Sequence, residues 1–215
     1  MKINIKSNKI KKTSAAIFAA LLLFVGTSCS KSPIMTDPPP LEDVKDEFIS
    51  LIEASAEIND ILFGEGLPVH KRDGSDEDKQ IYVDMTEYLD DYEVVREDSK
   101  YLTIEDIKIS AEKVYSKEYL EPIYEMVFVG YADDISGVTT AKYIEWDTWI
   151  YKSMSYEPLI TSARTYDYDT MKMITPSSED FVNIEIESSL EGEKMTVVLS
   201  FTLTDDGWRL DTPTY

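Results

Sequence analysis

The chain has 215 residues, of which 43% are hydrophobic, with 14 tyrosines and 7 phenylalanines, enough for one domain with a real core. Its 42 acids against 21 lysines and arginines give a formal charge of −21, which argues against nucleic acid as a partner, because that affinity comes from Lys and Arg on phosphates. One cysteine excludes an internal disulfide framework.

The first twelve residues carry five lysines and no acid, and an uncharged run follows over residues 14–26. A membrane span needs about 20 apolar residues. The run is shorter, and its basic front and small-residue tail have the pattern of a cleaved signal peptide. The residues around the cysteine, Val25, Gly26, Thr27, Ser28 and Cys29, resemble the box of a bacterial lipoprotein signal. There the cysteine is lipidated and becomes the new N-terminus. Thr27 and Ser28 match the two small positions, while Gly26 stands where an aliphatic residue is usual. The resemblance implies a signal over residues 1–28 and a lipid anchor on Cys29, with the protein held outside the cell on the bacterial membrane, the outer membrane if the envelope is Gram-negative. Ordinary cleavage that leaves a free thiol, or a retained short helix, is the alternative. Removing residues 1–28 takes away five lysines and no acid, so the charge deepens from −21 to −26. Such a surface attracts basic partners and raises their association rates in a salt-dependent way. Residues 29–40 include three consecutive prolines, an extended tether at about 3.1 Å per residue.

A single domain is expected over residues 41–215. Leu41, Val44, Phe48, Leu51, Ile52, Ile58 and Leu62 recur at three-and-four spacing, predicting one long helix that Gly64 and Gly66 stop. Residues 66–80 are polar with an Asp73-Gly74 turn, and read as an exposed loop. Residues 81–95 are ambiguous between a short helix and strand-like pieces. Thr103 and Asp106 form a capping-box start for a helix lined by Ile104, Ile107 and Ala111. Ser116 caps a further helix that Pro122 should kink or break. Beyond Gly130 the period changes. Residues 142–153 are strand-like near their end, and residues 163–174 form a strand. In residues 180–190, Ile184 and Ile186 point one way while Asn183, Glu185 and Glu187 point the other. Hairpins then lead through residues 194–203 into the last strand. Helices first and antiparallel strands afterward make an α+β domain, with N-terminal helices packed on an antiparallel sheet of three to five strands.

This order, ending in DDGWRLDTPTY over residues 205–215, is similar to the nuclear-transport-factor-two-like (cystatin-like cone) superfamily. A glycine-tryptophan-basic-apolar terminal strand is common in its bacterial lipoproteins. The resemblance implies a conical sheet around a helix, leaving a pocket for small ligands or a surface for dimerisation. The phrases VYSKEYLEPIYE and YDYDTMKMI are similar to a secreted family that inhibits D,L-endopeptidases of the bacterial wall, whose acidic, non-catalytic character suits the charge.

Chemistry-bearing residues are sparse. His70 is the only histidine, in a loop without the neighbours a nucleophile–base device needs. Residues 73–78 crowd acids but lack the spacing of a calcium loop. No metal or cofactor is expected. Trp146, Asp147, Trp149 and Tyr151 form the densest aromatic cluster, either core packing or a platform for sugar rings, with Asp147 as a pocket carboxylate. Tyr166 and Tyr168 alternate with Asp167 and Asp169, which on a strand puts the tyrosines on one face and the acids on the other. Tyr166 is the further pocket candidate. The expectation is a tethered, non-enzymatic module that binds a small ligand in a pocket or a basic envelope protein on its acidic surface. The alternatives are a wall-hydrolase inhibitor and a small-molecule enzyme of the cone superfamily using Asp147.

Overall fold

The computed structural model describes residues 37–70, 91–130, 141–146 and 148–215. Cys29, Asp147 and the acidic stretch 73–78 lie outside them. Helix α1 runs Leu41–Phe63 and buries Val44, Phe48, Leu51, Ile52, Ile58 and Leu62 on one stripe, as the spacing predicts. Two polar residues, Ser55 and Asn59, share that buried stripe. Thr103 and Asp106 close a full capping box on α2, Ile104–Ala111. Ser116 caps α3, Lys117–Tyr124, by accepting from Tyr119 N. Pro122 sits inside α3, and the chain leaves it as a π-helical turn, Glu125–Val129, that ends at Gly130. Pro122 therefore does not end the helix where a break is expected: α3 runs on to Tyr124, and the change of helix type comes three residues after the proline.

The strands form two open antiparallel sheets, which establishes the α+β class. The large sheet has the order β4-β5-β6-β7, with β4 Thr165–Ile174, β5 Phe181–Leu190, β6 Glu193–Thr204 and β7 Gly207–Leu210. Ile184 and Ile186 are fully buried and pair with Leu199 and Val197. Glu191 and Gly192, both at positive φ, close the β5–β6 hairpin, the geometry that matches the twist of its strands. Helix α1 lies on this sheet. Phe48 stacks on Phe201 at 3.9 Å between ring centroids and meets Trp208 edge-on at 5.3 Å. Residues 114–116 add a parallel bridge to β7, with Ser116 N donating to Leu210 O and Leu210 N to Val114 O. That cover blunts one edge of the sheet.

The small sheet has the order β1-β3-β2, with β1 Tyr92–Val94, β2 Tyr143–Trp146 and β3 Trp149–Ser153. Residues 142–153, expected to be strand-like near their end, carry two paired strands, β2 and β3. Beside β1, Val69 bridges to Val95 and His70 N donates to Val94 O. The start of the predicted exposed loop is thus paired and partly buried.

The C-terminal end of α1 meets this region. The last carbonyls of a helix need partners from outside it, and α1 has no base in its last turn. Residues from the hairpin onward supply the partners. Tyr143 OH donates to Ile61 O at 3.0 Å and Lys142 Nζ to Gly64 O at 2.7 Å. Lys152 Nζ donates to Glu65 O at 3.0 Å, and Leu159 N to Phe63 O at 2.7 Å. No helix among the described residues is long and apolar enough to cross a membrane.

Candidate functional site

The pleat of the small sheet sorts its side chains into two sets. Tyr143, Ile150, Lys152 and Glu93 face the end of α1. Ile144, Trp146, Trp149 and Tyr151 share the opposite face with Tyr92 and Val94, as the pairs Ile144↔Tyr151, Trp146↔Trp149 and Val94↔Tyr151 require. Tyr92, Val94 and Tyr151 form a small apolar cluster, with Ile144 and Trp149 packed against it. Burial grades along this face. Tyr151 is 3% exposed, Trp149 is half-buried, and Trp146 is 51% exposed at the hairpin tip. Thr148, in the turn, has φ 75°. Three of the predicted site residues therefore stand on one face, with the innermost serving as core and the outermost presenting its ring to solvent. Beneath the tip, Glu145 Oε2 accepts from Ile104 N at the start of α2 at 3.3 Å, a carboxylate placed where a helix N-terminus favours one.

Tyr166 stands elsewhere. It lies on β4, packs on the main core and donates from its hydroxyl to Thr214 O at 2.7 Å. Tyr166 and Trp149 thus belong to separate clusters on separate sheets. Tyr166 and Tyr168 are partly buried while Asp167 and Asp169 are exposed, the alternation expected of that strand. Thr214 itself is buried. Its Oγ1 lies 2.6 Å from Ser55 Oγ and 2.9 Å from Tyr115 OH, and accepts from Asn59 Nδ2 at 2.7 Å. Tyr115 OH also donates to Asn59 Oδ1 at 2.8 Å, and burial pushes its hydroxyl up to about 12. These groups satisfy one another, which makes the cluster a structural lock on residues 211–215.

The chemically unusual residues lie at the base of the tryptophan hairpin, and nothing in the sequence singled them out. Lys142 is 1% exposed. Its Nζ, besides meeting Gly64 O, lies 5.6 Å from the Tyr143 ring centre and 5.2 Å from that of Tyr156. Burial and the neighbouring Lys152 lower its amine to about 7, against the opposing pull of Asp60 and Glu65. Lys152 is lowered too, by burial, with Glu65, Asp60 and Glu93 opposing. Glu93 is the register partner of Lys152, and its Oε2 is buried without a hydrogen-bond partner among the described residues. Tyr143 OH completes the base by accepting from Leu67 N at 2.9 Å. Gly66 is required there: it has φ +79°, and a Cβ on it would fall 2.2 Å from Tyr143 OH. The one sequence signal was indirect, a long helix with acids in its first turn and no base in its last.

Among the described residues, no group of three or more His, Cys, Asp or Glu side chains is placed to hold a metal ion. On the outward face of the large sheet, Asp167 pairs with Glu187, and Lys172 with Glu185. Comparison of the chain with family models, with curated proteins and with solved structures finds no match to any of them.

Proposed function

We propose that the protein is a non-catalytic binding module, lipidated at Cys29 and tethered outside the cell, whose contact surface is the tryptophan hairpin and whose ligand is a sugar ring of the cell wall. The supporting observation is the half-exposed Trp146, paired with Trp149 on a face whose inner residues are buried. Tryptophan offers a large flat apolar surface with little rotamer freedom to lose on binding. The rigid base of the hairpin presents that ring without reorganisation. The test is retention of the mature protein on insoluble wall glycan, with Trp146→Ala beside it. The expected result is retention that the substitution weakens by about tenfold or more, the scale of a lost stacking contact. Equal retention of both proteins would sink the reading. Incorporation of a labelled fatty acid into the wild type but not into Cys29→Ser tests the anchor.

A second reading is inhibition of a basic wall hydrolase. It is favoured by the outward acids Asp167, Glu185 and Glu187 together with the charge of −21. It differs in salt dependence, since screening weakens charge-driven association far more than ring stacking. Loss of partner binding between low and high salt, unaffected by Trp146→Ala, would favour it.

A further inference from the structure

Tyr166 is one of four polar side chains that converge on Thr214. Ser55 and Asn59 reach it from one face of α1, Tyr115 from the residue before the Ser116 cap, and Tyr166 from β4. The first three are buried. Beside them the Tyr215 ring lies 4.8 Å from that of Phe63 at the end of α1, and Tyr119 stacks on Tyr115 at 4.8 Å. Residues 212–215 thus lie across a cleft between α1, Tyr115 and β4, as a ligand lies in a receptor. The strand before them is held differently. Leu210 N donates to Val114 O and Asp211 N to Ser200 O, backbone to backbone. Beyond Asp211 no backbone–backbone hydrogen bond holds the chain among the described residues. Thr212 is held by its hydroxyl, which accepts from Ser200 N at 3.0 Å, and Pro213 is exposed and has no amide to donate. A segment held through side chains can leave without unzipping the sheet.

We propose that residues 212–215 are a displaceable strap in a peptide-binding cleft, and that the cleft accepts in trans a segment of the same chemistry: a serine or threonine followed by an aromatic residue. The site is separate from the tryptophan hairpin and does not depend on the reading of that surface.

The hydrogen bonds around Thr214 set the ligand's chemistry. Ser55 Oγ already donates to Ile52 O at 2.6 Å, and Tyr115 OH to Asn59 Oδ1 at 2.8 Å. Each hydroxyl has one proton, so toward a ligand both offer only lone pairs. Asn59 Nδ2 offers a proton, which Thr214 Oγ1 accepts at 2.7 Å. The group between them must therefore accept from Asn59 and donate to Ser55 or Tyr115. A hydroxyl does both, whereas a carboxylate cannot donate and an ammonium cannot accept. Tyr166 OH donates to Thr214 O, which asks for a carbonyl beside that hydroxyl, as in a peptide. Phe63 then offers its ring to the next side chain. When the strap leaves, Ser55 and Tyr115 keep the bonds they donate. The Asn59 amide and the Tyr166 hydroxyl become free donors, for water or for the incoming segment.

Titration of the mature protein with a synthetic peptide of residues 211–215 tests this. The wild type is compared with the double substitution Thr214→Val and Tyr215→Ala, which weakens the strap and leaves the cleft side chains in place. The variant is expected to bind the peptide. The wild type should bind it at least about tenfold more weakly, since only the fraction with the strap displaced is competent. A peptide carrying Thr214→Val should bind the variant about tenfold more weakly than the natural one, the scale of a buried donor left unpaired. Equal binding by the two proteins, no binding by the folded variant, or indifference to the peptide's hydroxyl overturns the proposal. If the variant does not fold, hydrogen exchange of the Asn59 side-chain amide in the wild type decides. Exchange faster than that of the β5 and β6 amides, and less dependent on denaturant, supports a strap that opens by itself. Exchange only together with β5 and β6 overturns it.

Discussion

In the large sheet, β4, β5 and β6 run 10, 10 and 12 residues, and one face packs on a single amphipathic helix through Phe48, Phe201 and Trp208. In the small sheet the strands run three to five residues. Its two faces are both used, one against the end of α1 and one gathering the sheet's own buried residues Tyr92, Val94 and Tyr151. The first region buries apolar surface, and its polar residues find partners, as Ser55, Asn59 and Thr214 do. The second carries a buried lysine, an orphaned carboxylate oxygen and an exposed tryptophan, features that cost stability or leave it untouched. Costs of that kind concentrate where a protein works, so under the proposed function the contrast separates a scaffold from the element it displays.

The largest effect should come from the scaffold. Phe48→Ala removes a fully buried ring from between Phe201 and Trp208 and should cost about 3–5 kcal/mol, read as a fall in the denaturant midpoint with both sheets lost together. A fall confined to one sheet would mean that the two regions fold separately. Thr214→Val should come next. It keeps the shape but removes the hydroxyl shared by Ser55, Asn59 and Tyr115, leaving the Asn59 amide unpaired at a cost of about 1–3 kcal/mol.

How these features could be read from the chain divides along the same line. Helix α1 and strand β5 were legible because a long element buries many residues of one period, and Val44 to Leu62 or Ile184 and Ile186 repeat it. The capping box on Thr103 was legible because it is local in sequence. The small sheet was not. Tyr92–Val94 is too short to show alternation, and β1 pairs with β3, which lies far from it in sequence. The hairpin turn at Thr148 lacks the glycine that usually marks a two-residue loop. Trp146, Trp149 and Tyr151 stood out by composition, and alternation puts them on one face only once the turn between them is known. Nothing in the chain around Lys142 marks it for burial. Its burial is set by Gly64 and Tyr156, distant partners that no local pattern announces. The polar pair Ser55 and Asn59 gave the same difficulty, since Thr214 lies 155 residues beyond Asn59.

Gly66→Ala breaks the comparison at the joint between the regions. Alanine at φ +79° is strained, and its Cβ would collide with Tyr143 OH. The cost should be about 1–3 kcal/mol. Its signature is local: exchange should quicken at Leu67 and Ser153 while β5 and β6 change only as much as global stability does. Uniform quickening would show that the base of the hairpin is part of the main cooperative unit rather than a separable mount.

The smallest effect on stability should belong to the residue with the largest effect on binding. Trp146→Ala removes a ring that is half in water at the tip of a hairpin, so stability should move by no more than about 0.5 kcal/mol. Tyr151→Ala, on the same face of the hairpin, removes a buried ring and should cost about 3 kcal/mol or more. If the Trp146 ring is there to be used, the two substitutions separate cleanly: one weakens retention on wall glycan by about tenfold or more in a protein that melts like the wild type, and the other weakens the fold itself. If Trp146→Ala destabilises as much as Tyr151→Ala, the exposed ring belongs to the packing of the small sheet, and the display element is no more than an extension of the scaffold.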